Sequence, residues 1–240
     1  MIYILNVTGT LINSGESLKK EEEEFLLEWI ENKKVYLTSS LSYNNLVVLL
    51  GKEILKAVTR VFSENGSSVY HRDEKLSNKK TVFPSSLLDT LKEYTEKCDY
   101  QYKSTNSIVV NDSTIIYSPV GLTEEDQTKE KLELFKLWDF ETHQFTKVRL
   151  DLDRDFPDFE VLFNSDGNLV ITHYGDDKSQ ILNYIPDLHE QKIILFSDMI
   201  QTGGDDYKIA KIIKHINPLN SIHQISDSSH TYSIIDHIYK

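Results

Sequence analysis

Three short segments carry residues of the kind that could do chemistry. The first is NVTGTLI, Asn6 to Ile12, an apolar run that ends in polar side chains and turns on a glycine. The second is VYLTSS, Val35 to Ser40, whose clustered hydroxyls could bond a phosphate; Ser39 is the expected ligand, with Thr38 and Ser40 beside it. Taken alone, a glycine turn explains the first as well as chemistry does, and a polar loop is the commoner explanation of the second. The third is LFSDMIQTGGDDYKI, Leu195 to Ile209, where an apolar run ends in Asp198 and Gly203-Gly204-Asp205-Asp206 opens a helix. Carboxylates gathered at a strand end suit a hard, oxygen-seeking cation such as Mg²⁺. A helix start would also bring backbone N–H groups to an anion. Packing alone does not explain this third piece.

The elements that must position these segments follow from periodicity. Ile2 to Val7, Val35 to Leu37, Arg60 to Phe62 and Lys192 to Phe196 read as short buried strands. Glu16 to Asn32, Tyr43 to Leu50 and Asp206 to Ile216 read as helices between them. A last strand near Ser221 to Ile225 and a helix from Thr231 close the chain. Alternating strand and helix predicts a parallel sheet with crossover helices, and in such sheets function gathers at the carboxyl ends of the strands. The middle of the chain differs. A helix is expected over Val82 to Thr95, β-rich sequence over Ser107 to Tyr117, and a charged helical stretch over Glu124 to Lys147. Phe159 to Phe163 and Asn168 to His173 flank the turn signal Asn164-Ser165-Asp166-Gly167. The fold class is therefore α/β, a Rossmann-like parallel core with an inserted α+β cap. The core is expected over 1–80 and 186–240 and the cap over 81–185.

Composition excludes several classes. The net charge of -12 across 240 residues argues against binding nucleic acid or anionic lipid, both of which need basic patches. No stretch approaches the roughly 18 apolar residues of a membrane span. MIYILNVTGTL lacks the basic leader of a signal peptide. The single cysteine, Cys98, can form no internal disulfide and fits a reducing compartment. A soluble, cytoplasmic protein is expected.

The order of the three segments resembles the haloacid dehalogenase superfamily, and further pieces narrow it to the eukaryotic phosphomannomutase family. FSDMIQTGGDDYKI is similar to that family's signature of a strand, Gly-Asp, then Gly-Gly-Asn-Asp. VFSENGSSVYHRDEKL, Val61 to Leu76, resembles its segment before the cap; SPVG, Ser118 to Gly121, resembles a cap motif; GDDK ending at Lys178 resembles the end of the cap. ISDSSHTYSII fits the closing turn and helix.

The resemblance implies interconversion of mannose 1-phosphate and mannose 6-phosphate for GDP-mannose synthesis, with Mg²⁺ as cofactor and pairing into a homodimer through the cap. It also implies an aspartate nucleophile in the first loop and an aspartate acid/base two residues later. Here those positions hold Asn6 and Thr8. A carboxamide cannot form an acyl-phosphate, and losing a comparable nucleophile costs about a million-fold in turnover. A threonine hydroxyl does not titrate near neutrality, so it cannot exchange protons as a carboxyl would. Family arginines fall on Gly15, Asn111 and Leu122, and only Lys129 keeps a positive charge at such a position. The last cap hairpin places Asn168 and Val170 where the family has a substrate-binding serine and aspartate. By the same carry-over Asp198, Asp205, Asp206 and the Thr8 carbonyl would hold a weakened cation, and Lys178 would meet a phosphate. The expectation is a phosphomannomutase-like protein, catalytically impaired, that binds a phosphorylated sugar; an active Mg²⁺-dependent phosphatase with reorganised chemistry and a non-catalytic interaction protein are the alternatives.

Other chemistry-bearing residues read as structural. The histidines show no zinc spacing, Cys98 has no adjacent base, and Glu21 to Glu24 form a solvated helix face. Asp151 to Asp155, DLDRD, are expected in a solvated cap loop.

Overall fold

A computed structural model describes residues 1–123, 125–186 and 188–239. Glu124, the expected first residue of the charged cap stretch, lies outside the described residues, as do Asp187 and Lys240. At the centre stands β1 (Ile2–Asn6), buried along its whole length. It pairs in parallel with β2 (Lys34–Thr38) on one side and β10 (Ile193–Ser197) on the other. β3 (Arg60–Ser63) and β11 (Ser221–Gln224) continue the parallel sheet outward. An antiparallel hairpin, β4 (Ser68–His71) and β5 (Glu74–Asn78), extends it to seven strands.

Side-chain alternation sorts this core into two layers. Tyr3, Leu5, Val35 and Leu37 pack on α1 (Lys20–Ile30), α2 (Tyr43–Leu50), α3 (Lys52–Ala57) and α8 (Ser228–Ile238). Ile2, Ile4, Tyr36 and Leu195 face the other way, onto α7 (Tyr207–Ile216) and a 3-10 run over Lys178–Tyr184. Burial on both faces is why the strands read as unbroken apolar runs.

The cap is a four-stranded antiparallel sheet in the order β6 (Ile108–Val110), β7 (Thr114–Tyr117), β9 (Leu169–His173), β8 (Phe159–Phe163). One face is covered by Leu87 and Leu91 of α4 (Ser85–Lys97), Phe135 of α5 (Lys129–Thr142), and Phe145 and Leu152 of α6 (Gln144–Asp155). Backbone bonds tie cap to core. Phe163 donates to the Gly203 carbonyl at 2.9 Å and accepts from the Asp205 N–H at 3.0 Å. Lys208 of α7 adds ion pairs to Glu160 (2.7 Å) and Asp177 (3.0 Å).

The structure departs from the sequence reading in several places. The first helix begins at Lys20 rather than near Glu16. DLDRD is the last turn of α6, not a loop, because Leu152 needs to reach the cap core. The stretch 178–185, placed by sequence at the end of the cap, packs Ile181, Leu182 and Ile185 against core residues Ile2 and Ile4. Helix α3 and the β4–β5 hairpin are additional elements.

Phe196 is fully buried on β10 and stacks on His223 with ring centres 4.9 Å apart. Phe196→Ala is expected to lower unfolding free energy by about 3–5 kcal/mol in urea titrations. A loss under about 1 kcal/mol would contradict this packing.

Candidate active site

The parallel sheet delivers three strand ends to one place. β1 ends at Asn6, in register with Thr38 at the end of β2. β10 ends at Ser197, and Asp198 follows directly. Beyond Asn6 the chain closes a tight loop, with Leu11 N–H donating to the Val7 carbonyl at 2.8 Å and Gly9 N–H to the Ile12 carbonyl at 2.7 Å. Gly9 has φ 76°, and a Cβ there would lie 2.3 Å from Asp198 Oδ2. Only glycine lets the loop and this carboxylate approach so closely.

Asn6 is 2% exposed and sits at the focus. Its Nδ2 shares two N–H bonds among the Thr8 carbonyl at 3.0 Å, Asp198 Oδ1 at 3.1 Å and Ser165 Oγ at 3.1 Å. Its Oδ1 accepts from Lys178 Nζ at 3.1 Å. Lys178 is 1% exposed and also contacts Asp205 Oδ2 at 2.9 Å and Asp206 Oδ2 at 3.1 Å, so its three N–H bonds meet three acceptors. Asp206 Oδ2 further accepts from Ser197 Oγ at 2.7 Å. Asp198 Oδ1 takes Ser165 Oγ at 2.9 Å and Thr10 Oγ1 at 3.4 Å besides the amide.

Electrostatics follow from burying three carboxylates around one ammonium. Burial opposes the charge of Lys178, but Asp205 and Asp206 outweigh it and hold the ammonium above the ordinary lysine value. Burial raises Asp198, repulsion from Asp206 adds to it, and Ser165, Lys178 and Asn6 pull the other way. Asp205 is pushed up to about 7, by burial first and then by repulsion from Asp206 against the attraction of Lys178.

Sequence reasoning named most of this cluster, but with different partners. Lys178, expected to meet a phosphate, is buried and spends its donors on Asn6, Asp205 and Asp206. Ser39, the expected phosphate ligand, is turned to its own loop and accepts from Leu41 N–H at 3.1 Å. The neighbouring Thr38 hydroxyl has no partner among the described residues. The Thr8 side chain likewise has none. Of the substrate positions, Asn111, Leu122 and Asn168 meet in a 140 Å³ pocket against Leu41, Ser42 and Asn45 of the core. Lys129, at the start of α5, lies apart from them in a 740 Å³ cleft between cap and core. That cleft also holds Lys136, set against Glu16, Glu133, Asp198 and Asp227. Gln127 lines both spaces and accepts from Asn168 Nδ2 at 3.1 Å. Ser165 was legible only as a turn residue; its reach into the core depends on how the hairpin docks.

The expected cation set does not fit Mg²⁺ well. Mg²⁺ takes oxygen lone pairs in near-octahedral array. The Thr8 carbonyl and Asp198 Oδ1 already receive N–H and O–H donors. Both oxygens of Asp205 and Oδ1 of Asp206 lack a hydrogen bond, but Lys178 forms ion pairs about 3 Å long with both carboxylates and repels a cation. Among the described residues no group of three or more His, Cys, Asp or Glu is arranged to hold a metal ion.

A carboxyl raised by burial stabilises the fold fully below its unfolded value and loses that contribution as pH rises through the folded value. Asp205 should therefore make the protein less stable as pH rises from about 4 to 7. Asp205→Asn should reduce the stability lost between pH 5 and pH 8 by about 1–2 kcal/mol in urea titrations. Parallel profiles for the two proteins would contradict this charge balance.

Comparison with known proteins agrees with the architecture. Residues 23–240 match the model of the family described as eukaryotic phosphomannomutase. A phosphomannomutase of Encephalitozoon cuniculi is 25% identical over 216 residues, covering 87% of this chain and 83% of its own. A phosphomannomutase of Triticum aestivum is 26% identical over 218 residues, covering 87% and 85%. Among solved structures, a haloacid dehalogenase-like hydrolase from Bacteroides thetaiotaomicron superposes with a TM-score of 0.58 at 15% identity, over 99% of both chains. A trehalose-6-phosphate phosphatase related protein gives 0.57 at 14% identity, over 99% of this chain and 96% of that one. At such identities the structural likeness speaks for the haloacid-dehalogenase-type fold.

Proposed function

The chain belongs to the eukaryotic phosphomannomutase family, and on that premise we propose that it is a non-catalytic member, one that keeps the core-and-cap frame but not covalent phosphoryl transfer. One observation carries this reading: the side chain at the tip of β1 is an amide with every polar atom already committed. Asn6 Oδ1 accepts from Lys178, and Nδ2 donates to Thr8, Ser165 and Asp198. A nucleophile needs a free lone pair aimed at phosphorus and a product that can be hydrolysed; this amide offers neither.

The remaining residues support the same reading. Thr8 presents a hydroxyl where the family uses a carboxyl, so no group there can donate a proton to a sugar oxygen and take it back near neutrality. A phosphorylated sugar would enter the 740 Å³ cleft beside Lys129 and Lys136, but four carboxylates face those two ammonium groups. An anionic ligand is therefore held weakly. Pairing of two chains through the cap belongs to the same proposal. The edge strand β6, with exposed Val109 and Val110, supports it as a place where caps could meet. No helix among the described residues is long and apolar enough to cross a membrane. We place the protein in the cytoplasm, a reducing compartment that its one cysteine, the unpaired Cys98, fits.

The test is conversion of mannose 1-phosphate to mannose 6-phosphate with a sugar bisphosphate activator and Mg²⁺, beside a working family member. Turnover about a million-fold lower is expected from loss of the nucleophile. Turnover within about a hundred-fold would end this reading.

A further inference from the structure

We infer that the Asn6 amide, held in its orientation by Lys178, takes the oxygens that a divalent cation would need at the tip of β1, so that the loop cluster takes up no Mg²⁺. The inference uses the family only for the expectation of a cation; it does not depend on whether catalysis is lost.

Two oxygens that would ligate a cation, the Thr8 carbonyl and Asp198 Oδ1, both receive Asn6 Nδ2, at 3.0 and 3.1 Å. Asp198 Oδ1 takes two further donors, from Ser165 and Thr10, which leaves it no lone pair for a metal bond. Its partner Oδ2 lies against Gly9. An amide can in principle turn over and offer its oxygen instead. Here Lys178 prevents that. Nζ stands 3.1 Å from Asn6 Oδ1, and a turned amide would set N–H against N–H at that distance, leave the Thr8 carbonyl without its donor and set an amide oxygen against Asp198 Oδ1. The neighbouring network therefore assigns the amide orientation.

Charge points the same way. Lys178 places its ammonium about 3 Å from the carboxylates of Asp205 and Asp206, so the positive charge a cation would bring is supplied by a side chain that is itself 1% exposed. Ser165, from the cap hairpin, seals the arrangement by bonding both Asn6 and Asp198. A cation bound through the Thr8 carbonyl and Asp198 Oδ1 would have to break the amide bonds, displace Ser165 and face Lys178 at once.

The full-length protein is titrated with MgCl₂ by calorimetry, and its Tm is measured in about 10 mM MgCl₂ against NaCl of equal ionic strength. No saturable heat and a Tm change under about 1 °C are expected. Asn6→Asp replaces the donors by a carboxylate and should gain a saturable Mg²⁺-dependent rise of about 4 °C or more. Asn6→Ala removes the donors without adding charge and should gain a smaller rise, which serves if Asn6→Asp fails to fold. Saturable Mg²⁺ binding by the unaltered chain would overturn the inference, as would the absence of any Mg²⁺ response in both variants. The outcome separates from that of the functional reading. A chain that ignores Mg²⁺ yet turns over substrate sinks only the loss of catalysis, and one that binds Mg²⁺ without turnover sinks only the exclusion of Mg²⁺.

Discussion

The bond between Lys178 and Asn6 Oδ1, 3.1 Å long and wholly buried, is the constraint on which the rest of the site depends. An amide has a donor end and an acceptor end, and their order decides what surrounds it. With the acceptor end held by an ammonium, the donor end must face the Thr8 carbonyl and Asp198. That single choice engages the Thr8 carbonyl and Asp198 Oδ1, the two oxygens nearest the tip of β1. Lys178 in turn has to stay charged in a buried setting, which Asp205 and Asp206 make possible. Each group is there because the others are, so the cluster is stable as a unit and costly to alter piecemeal.

The same cluster joins the cap to the core. Ser165 rides on the cap hairpin yet bonds Asn6 and Asp198 of the core. One turn away, the Phe163 backbone pairs with the loop of Gly203 and Gly204. Lys208 reinforces this seam from α7. The Asn6 cluster and the seam between cap and core are thus one hydrogen-bonded structure.

Much of this was legible in the sequence. Apolar runs such as IYILN and IILFS are buried on both faces and declared the central parallel strands. The tips of those strands declared Asn6 and Asp198 as neighbours. What stayed hidden depends on docking rather than on local pattern. Ser165 reads as one turn residue among four, and nothing nearby in sequence says that its hydroxyl reaches β1. Lys178 was placed near the site, but three acceptors converge on it from β1 and from the loop before α7, too far apart in sequence to be read together. DLDRD looked like a loop because its charges mask Leu152, whose burial makes the segment helical. The β4–β5 hairpin went unread because β5 carries Glu74 and Lys75 with little apolar alternation.

Which end of the Asn6 amide faces Asp198 can be read directly by nuclear magnetic resonance. In a ¹H–¹⁵N correlation spectrum of the full chain, the Asn6 side-chain NH₂ pair should exchange slowly with solvent and keep its intensity when Mn²⁺ is added as a paramagnetic stand-in for Mg²⁺. Selective loss of that pair, while other asparagine side chains persist, would mean that a cation sits beside the amide and would contradict the account.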